Sequence, residues 1–188
     1  MSDTDVIADL DRALAATGAV VAGVRPEQWT APTPCTELDA RGVLNHLVRG
    51  NLVFVAIIRD EPRPAPGTDH LGEDPLAAFE QAAARLREAF AGPGVLESVY
   101  TAPFGTAPGA VLAHVRVVEV LVHGWDLARA TGQPADFPGD VAERALAGAR
   151  RQLTSRPQGP GAPFAAEVPV PAGAPAVDRL AGFLGRPV

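Results

Sequence analysis

The longest unbroken helical pattern in this chain runs from Thr106 to Ala130, and it sets the height of whatever the chain folds into. Thr106 offers an N-cap, and Pro108 falls in the first turn, where its missing N–H costs nothing. Thr131-Gly132 then stops the run. At 1.5 Å per residue such a helix is on the order of 36 Å long, the full height of a four-helix bundle. A helix of that length needs partners to cover it, and the sequence supplies them. From Asp3 to about Val24, Val6, Ile7, Leu10, Leu14 and Val21 recur at helical rather than strand spacing. The two prolines and three threonines between Trp29 and Thr36 predict an extended connector. Thr36 then reads as the N-cap of a second helix, with Asp39 reaching back, which continues to about Arg59 on a stripe of Leu44, Leu47, Val48, Leu52, Val55 and Ile58. A loop rich in Pro, Gly and charge follows. Asp74-Pro75 opens a third helix that runs to about Ala91.

Between the third helix and the long one, Val95 to Phe104 has some extended character. Beyond the long helix a fifth covers Pro138 to Leu153. After it the Pro- and Gly-rich stretch Ser155 to Ala176 carries one strand-like piece, Ala166 to Val170, and a last short helix spans Val177 to Leu184. The expectation is an all-α protein: one helical bundle over residues 1–154, with an irregular C-terminal extension over 155–188 packed on it.

Composition excludes several function classes. With 47% hydrophobic and 20% charged residues, the chain can bury a sizeable core. A net charge of −6, with the arginines scattered, lacks the basic stripe of a nucleic-acid binder. No apolar run approaches the roughly 20 residues that span a bilayer, and the N-terminus is acidic where a signal peptide is basic, so the expected location is the cytoplasm and no membrane partner is expected. The single cysteine, Cys35, has no internal disulfide partner, which agrees with a reducing compartment.

The chemistry concentrates on the long helix. Glu119 and His123 stand four residues apart in Glu-Val-Leu-Val-His, which stacks a carboxylate and an imidazole on one helical face about 5–6 Å apart at Cβ. Metal sites in bundles are built from such inward-facing pairs plus a ligand from a neighbouring helix. His46, set in Leu44-Asn-His-Leu47 on the apolar second helix, is the natural third member. On spacing alone a hydrogen-bonded pair competes with a metal site. The apolar neighbours of Glu119 favour some partner for it, since an unpaired carboxylate buried beside Val117, Val118, Val120 and Leu121 is costly, and a dication is one partner that would satisfy all three groups.

Three phrases carry a family resemblance: Trp29-Thr-Ala-Pro-Thr-Pro-Cys-Thr-Glu-Leu-Asp39, Leu44-Asn-His-Leu-Val48, and Val118-Glu-Val-Leu-Val-His-Gly-Trp-Asp-Leu-Ala-Arg-Ala-Thr-Gly132. Together with the closing Asp178-Arg-Leu-Ala-Gly-Phe-Leu-Gly-Arg186, they make the chain resemble the actinobacterial metal-binding family related to the N-terminal domain of mycothiol-dependent maleylpyruvate isomerase, within the DinB/YfiT-like superfamily of four-helix bundles. The resemblance implies a divalent metal on His46, Glu119 and His123, zinc first, with nickel, iron or cobalt also admissible. It also implies open positions for water or a thiolate. Two imidazoles and one carboxylate leave a dication near +1 with open coordination, as in catalytic zinc sites, where a bound thiol ionises near neutral pH. The resemblance also implies a further C-terminal domain in the isomerase that is not expected in this chain, so isomerase activity itself is not expected to carry over.

The reading that follows is a metal-dependent enzyme of thiol transfer or isomerisation. Its partners would be mycothiol or a similar low-molecular-weight thiol and a small-molecule electrophile, and the protein would be a monomer or homodimer. The competing reading is a metal-containing binding or stress-response module without turnover. Weaker candidates surround the site. Asp126 could orient a ligand, although an ion pair with Arg129 is the more ordinary expectation. Cys35 could approach the metal, and Arg41, Arg49 or Arg116 could clamp a substrate carboxylate. Trp29 and Trp125 read as packing anchors. His114 falls on the helix face opposite His123, and His70 is expected to face solvent on a loop that could form a lid.

Overall fold

A computed structural model describes residues 3–153 and 165–188. Six α-helices and one hairpin lie among the described residues: α1 Asp3–Ala22, α2 Ala40–Arg59, α3 Pro75–Phe90, β1 Val99–Ala102, β2 Gly105–Pro108, α4 Gly109–Thr131, α5 Gly139–Gln152 and α6 Ala176–Phe183. The boundary expected at 154/155 falls outside the described residues.

The first four helices form the bundle. α1 packs on α3 and α4, and α2 packs on the same two, so α1 and α2 sit on one diagonal and α3 and α4 on the other. α5 and α6 pack on each other and on α4. α4 is therefore covered from both sides, and 17 of its 23 residues are buried, including His114, Arg116, His123 and Asp126. The α1–α4 contact is close because position 124 is glycine: a Cβ there would meet Thr17 Oγ1 at 2.4 Å and the Phe137 ring at 2.9 Å. Thr17 uses that proximity to donate to the Val120 carbonyl at 3.0 Å. α5 is tied to α1 by Arg144, which donates to both oxygens of Asp9 at 2.8 and 2.6 Å.

Several ends differ from the sequence expectation, each for a local reason. α2 is capped by Asp39, three residues after Thr36, whose Oδ1 accepts from Gly42 N at 2.7 Å. Before it, the connector closes on itself through a bridge between Pro32 and Asp39. Thr106 does not cap α4. It sits in β2 opposite Thr101, and α4 starts at Gly109, whose amide is held by the Ser98 carbonyl at 2.9 Å. The extended character from Val95 to Phe104 thus extends into a hairpin with a two-residue turn, Pro103-Phe104. Residues Ala166 to Val170 form no strand; Val168 donates its amide to the Gly182 carbonyl of α6 at 2.9 Å. The Asp74-Pro75 start of α3 and the Gly132 stop of α4, at φ +67°, stand where the sequence places them. By length and composition, contrary to the sequence expectation, α2 is apolar enough to cross a membrane, yet half of its most apolar window is buried within the bundle, as befits a core helix.

Candidate metal centre

The site forms where α2 and α4 face each other. Leu44, Leu47 and Val48 anchor α2 in the core, which leaves His46 at the edge of the buried stripe and turned toward α4. On α4 the i, i+4 geometry stacks Glu119 and His123, as the spacing predicts. The Nε2 atoms of both histidines converge on one carboxylate oxygen: Glu119 Oε2 lies 3.3 Å from His46 Nε2 and 3.5 Å from His123 Nε2. The two imidazole rings meet edge to face at 4.8 Å. All three donor atoms lie within 4.8 Å of one another, so the cluster could hold a metal ion. Its sides are unequal. The His46 side chain is 43% exposed and that of His123 only 7%, so the site opens to solvent past His46.

Burial alone would push the Glu119 carboxyl up, but the hydrogen bonds from His123 and His46 outweigh it and hold the group well below the usual carboxylate range. For His123 burial works against the charged ring, and hydrogen bonds to Asp126 and Glu119 overcome it and raise the imidazole. In the metal-free chain the centre thus holds itself together as an anion between two rings.

Behind His123 lies a further layer. His123 Nδ1 is 3.0 Å from Asp126 Oδ2, and Asp126 is fully buried. Its ion-pair partner is not Arg129. Arg186, from the C-terminal segment, donates Nε to Asp126 Oδ1 at 3.2 Å and Nη2 to Oδ2 at 3.2 Å, while Arg129 pairs with Asp178 at 3.1 Å. Cys35 comes close as well: its sulfur lies within 4.8 Å of donor atoms of His123 and Asp126. Burial pushes its thiol up, against the pull of Arg186.

The three arginines weighed as substrate clamps fare differently. Arg116 is 2% exposed between α2 and α4, donates to Asn51 Oδ1 at 2.8 Å, and lies 5.3 Å over the Phe54 ring. Gly50 makes room for it, since a Cβ there would meet Arg116 Nη1 at 2.6 Å. Burial lowers its guanidinium to about 10, against the opposing charge of Glu119. It is a cation set behind the site, not a clamp on its open side. Arg41 is taken up by the loop, donating to Asp69 at 2.8 Å and to the Gly72 carbonyl at 2.9 Å. Asn45 pins the same loop through the Thr68 carbonyl and the His70 amide. Arg49 is half-buried, with Nε shielded and unpartnered among the described residues. His70 does not face solvent as expected: it is half-buried with Nε2 shielded, because Asn45 draws its backbone onto α2. Trp125 is a packing anchor, fully buried with Nε1 donating to Asp178 at 2.7 Å, and Trp29 packs against the core. His114, on the face away from the site, is buried against Gly148.

The residue that sequence reasoning missed is Arg186. Its only signal was its place in the closing phrase of the family resemblance; no helical period or short-range spacing ties it to Asp126.

With this geometry in view, the comparisons with known proteins are specific. Residues 10–128 match the family described as the mycothiol maleylpyruvate isomerase N-terminal domain. A Mycobacterium tuberculosis protein, uncharacterized protein Rv0738, is 40% identical over 177 residues, covering 94% of this chain and 95% of that one. The crystal structure of the mycothiol-dependent maleylpyruvate isomerase superposes with a TM-score of 0.64 at 16% identity, covering 78% of this chain and 68% of that one. A histidine-to-alanine mutant of the isomerase superposes with the same TM-score at 15% identity. At such identity the superposition speaks for the fold, which is that of the DinB/YfiT-like bundle. The family match covers α2, α3, the hairpin and nearly all of α4, including every residue of the His46, Glu119 and His123 cluster. This chain belongs to the mycothiol maleylpyruvate isomerase N-terminal domain family.

Proposed function

We propose that His46, Glu119 and His123 hold a divalent metal, zinc by first choice, and that the protein is a metal-dependent enzyme of thiol transfer or isomerisation using mycothiol or a similar low-molecular-weight thiol. One observation carries the metal reading. The two separations from Glu119 Oε2, 3.3 and 3.5 Å, are long for N–H···O hydrogen bonds. They match the edge of a tetrahedron whose centre lies about 2.0–2.1 Å from each ligand, roughly 3.3–3.4 Å. The donor chemistry agrees: two imidazoles and a carboxylate held ionised suit a borderline cation. The alternative set, Cys35 with His123 and Asp126, is disfavoured because both Asp126 oxygens already face a guanidinium.

When bound, the dication would supply Lewis acidity at its open positions, enough to favour ionisation of a thiol or a water. This chain's residues would do the rest. His46 borders the solvent side, so an incoming thiol and electrophile would approach past its ring. Asp126 would hold the proton on His123 Nδ1, keeping Nε2 as the donor atom. The apolar wall of α4 would limit water on the buried side. The likeness to a mycothiol-dependent isomerase supports a thiol as the co-reactant.

The test is spectroscopic. Cobalt-substituted protein titrated with mycothiol should show a changed visible spectrum, with a thiolate-to-metal band in the near ultraviolet. A spectrum indifferent to mycothiol and to simpler thiols at millimolar concentration contradicts the thiol reading, and leaves a metal-containing binding module.

A further inference from the structure

We propose that Arg186 is a positioning residue for the metal centre: by forking Asp126 it fixes the ring of His123 and keeps Asp126 out of the ligand set. The inference rests on the metal reading above and deepens it.

Arg186 is 8% exposed and the Asp126 carboxylate is fully buried, so the pair is shielded from water and from screening salt. Asp126 Oδ2 meets His123 Nδ1 at 3.0 Å and Arg186 Nη2 at 3.2 Å, while Arg186 Nε is shared between Oδ1 at 3.2 Å and Oδ2 at 3.4 Å. A guanidinium is a rigid planar fork, so these contacts set the plane of the carboxylate and not only its charge. The carboxylate plane in turn sets the ring of His123, since the Nδ1 hydrogen must point at Oδ2. Nε2, 3.5 Å from Glu119 Oε2, is then the nitrogen that faces the cluster, and it would give up its proton and serve as the ligand atom when a metal is bound.

The backbone places Arg186 there by a specific turn. After α6 the chain passes through Gly185 at φ +86°, a left-handed conformation that suits glycine, and the Arg186 amide is held by the Ala181 carbonyl at 3.0 Å. A Cβ on Gly185 would also meet the Ala165 Cβ at 2.7 Å. Arg186 lies beyond residues 10–128, so the segment that completes the site is outside the matched domain.

The same contact makes a choice between ligand sets. His123 belongs both to the His46–Glu119 cluster and to the Cys35–Asp126 cluster. A dication in the second would need an Asp126 oxygen and would face the guanidinium that already occupies it. Like charges in a buried site repel strongly, so Arg186 turns the second cluster into a support for the first.

Two variants test this, Arg186→Gln and Arg186→Lys, in the full chain. Zinc affinity is read by competition with a chromogenic chelator, and the state of the His123 ring by its 15N shifts in histidine-labelled, metal-free protein. Loss of an outer partner of a ligating histidine typically weakens metal binding roughly 10–100-fold. Arg186→Gln should show a loss of that size and move the His123 shifts, with Arg186→Lys between it and the native chain. In an Asp126→Asn background, Arg186→Gln should add little further, because the two residues act through one contact. Zinc affinity within twofold of native, with unmoved His123 shifts, overturns the proposal while leaving the metal site standing. If the native chain takes up no zinc, the metal reading fails by itself, and the 15N shifts alone decide whether Arg186 sets the His123 ring. Should Arg186→Gln fail to fold, Arg186→Lys carries the same comparison.

Discussion

His114 and Glu119 share a helix, and each is lowered by its environment for a different reason. His114 is buried against Gly148 with Nε2 unpartnered among the described residues, and burial, helped by Arg151, lowers its imidazole. A base lowered on folding binds fewer protons folded than unfolded. Stability is then unaffected above its unfolded value of about 6.5 and falls as the pH drops below it. Between pH 7 and pH 5 the urea midpoint of His114→Gln should rise relative to that of the native chain, because the variant lacks this loss; parallel curves would contradict the assignment. Glu119 is lowered as well, because hydrogen bonds from His123 and His46 outweigh the effect of its burial. A carboxyl held low contributes stability above its unfolded value of about 4.3 and loses it as the pH falls through the folded value. Glu119→Gln should therefore lower the urea midpoint at neutral pH and lose stoichiometric metal, measured as metal per chain after gel filtration.

At the scale of elements, what could be read ahead of the structure followed the range of the interaction. The start of α3 at Asp74-Pro75, the end of α4 at Gly132 and the pairing of Glu119 with His123 depend on residues within one helical turn, and all stand as expected. The start of α2 was misplaced because two good capping residues stand three apart; Pro32 pairing with Asp39 draws the connector in and gives the cap to Asp39. Asp39→Ala should cost about 1 kcal/mol, the usual worth of an N-cap, in a denaturation curve, whereas Thr36→Ala should cost much less. The hairpin was only half visible, since Val99 to Ala102 shows β character and the strand opposite it, Gly-Thr-Ala-Pro, shows none. Close helix contact is also hidden in sequence. Gly124→Ala puts a methyl against Thr17 and Phe137, and overpacking of this kind costs about 1–3 kcal/mol.

Across the whole molecule, the C-terminal segment is joined to the bundle at two places on α4. Asp178 accepts from Trp125 Nε1 and pairs with Arg129, whose guanidinium stacks 5.0 Å over the Trp125 ring. Beside Trp125 on the same helix, Asp126 is gripped by Arg186. Asp178→Ala strips a buried indole N–H of its acceptor, a loss of about 1–3 kcal/mol, and should alter the fluorescence of Trp125. These long-range contacts link residues about 50 to 60 positions apart, a distance at which no periodicity or motif speaks. They also set the limit of what local phrases could convey: the His46, Glu119 and His123 cluster and the candidate Asp126 were legible in them, but the pairing of Asp126 with Arg186 was not. The account as a whole stands on that triad. The most direct measurement is the metal content of the purified chain beside His46→Ala and His123→Ala. About one equivalent in the native protein, lost in both variants while they remain folded, is the predicted result. A native chain that carries no metal and takes up none when zinc or nickel is supplied would contradict it.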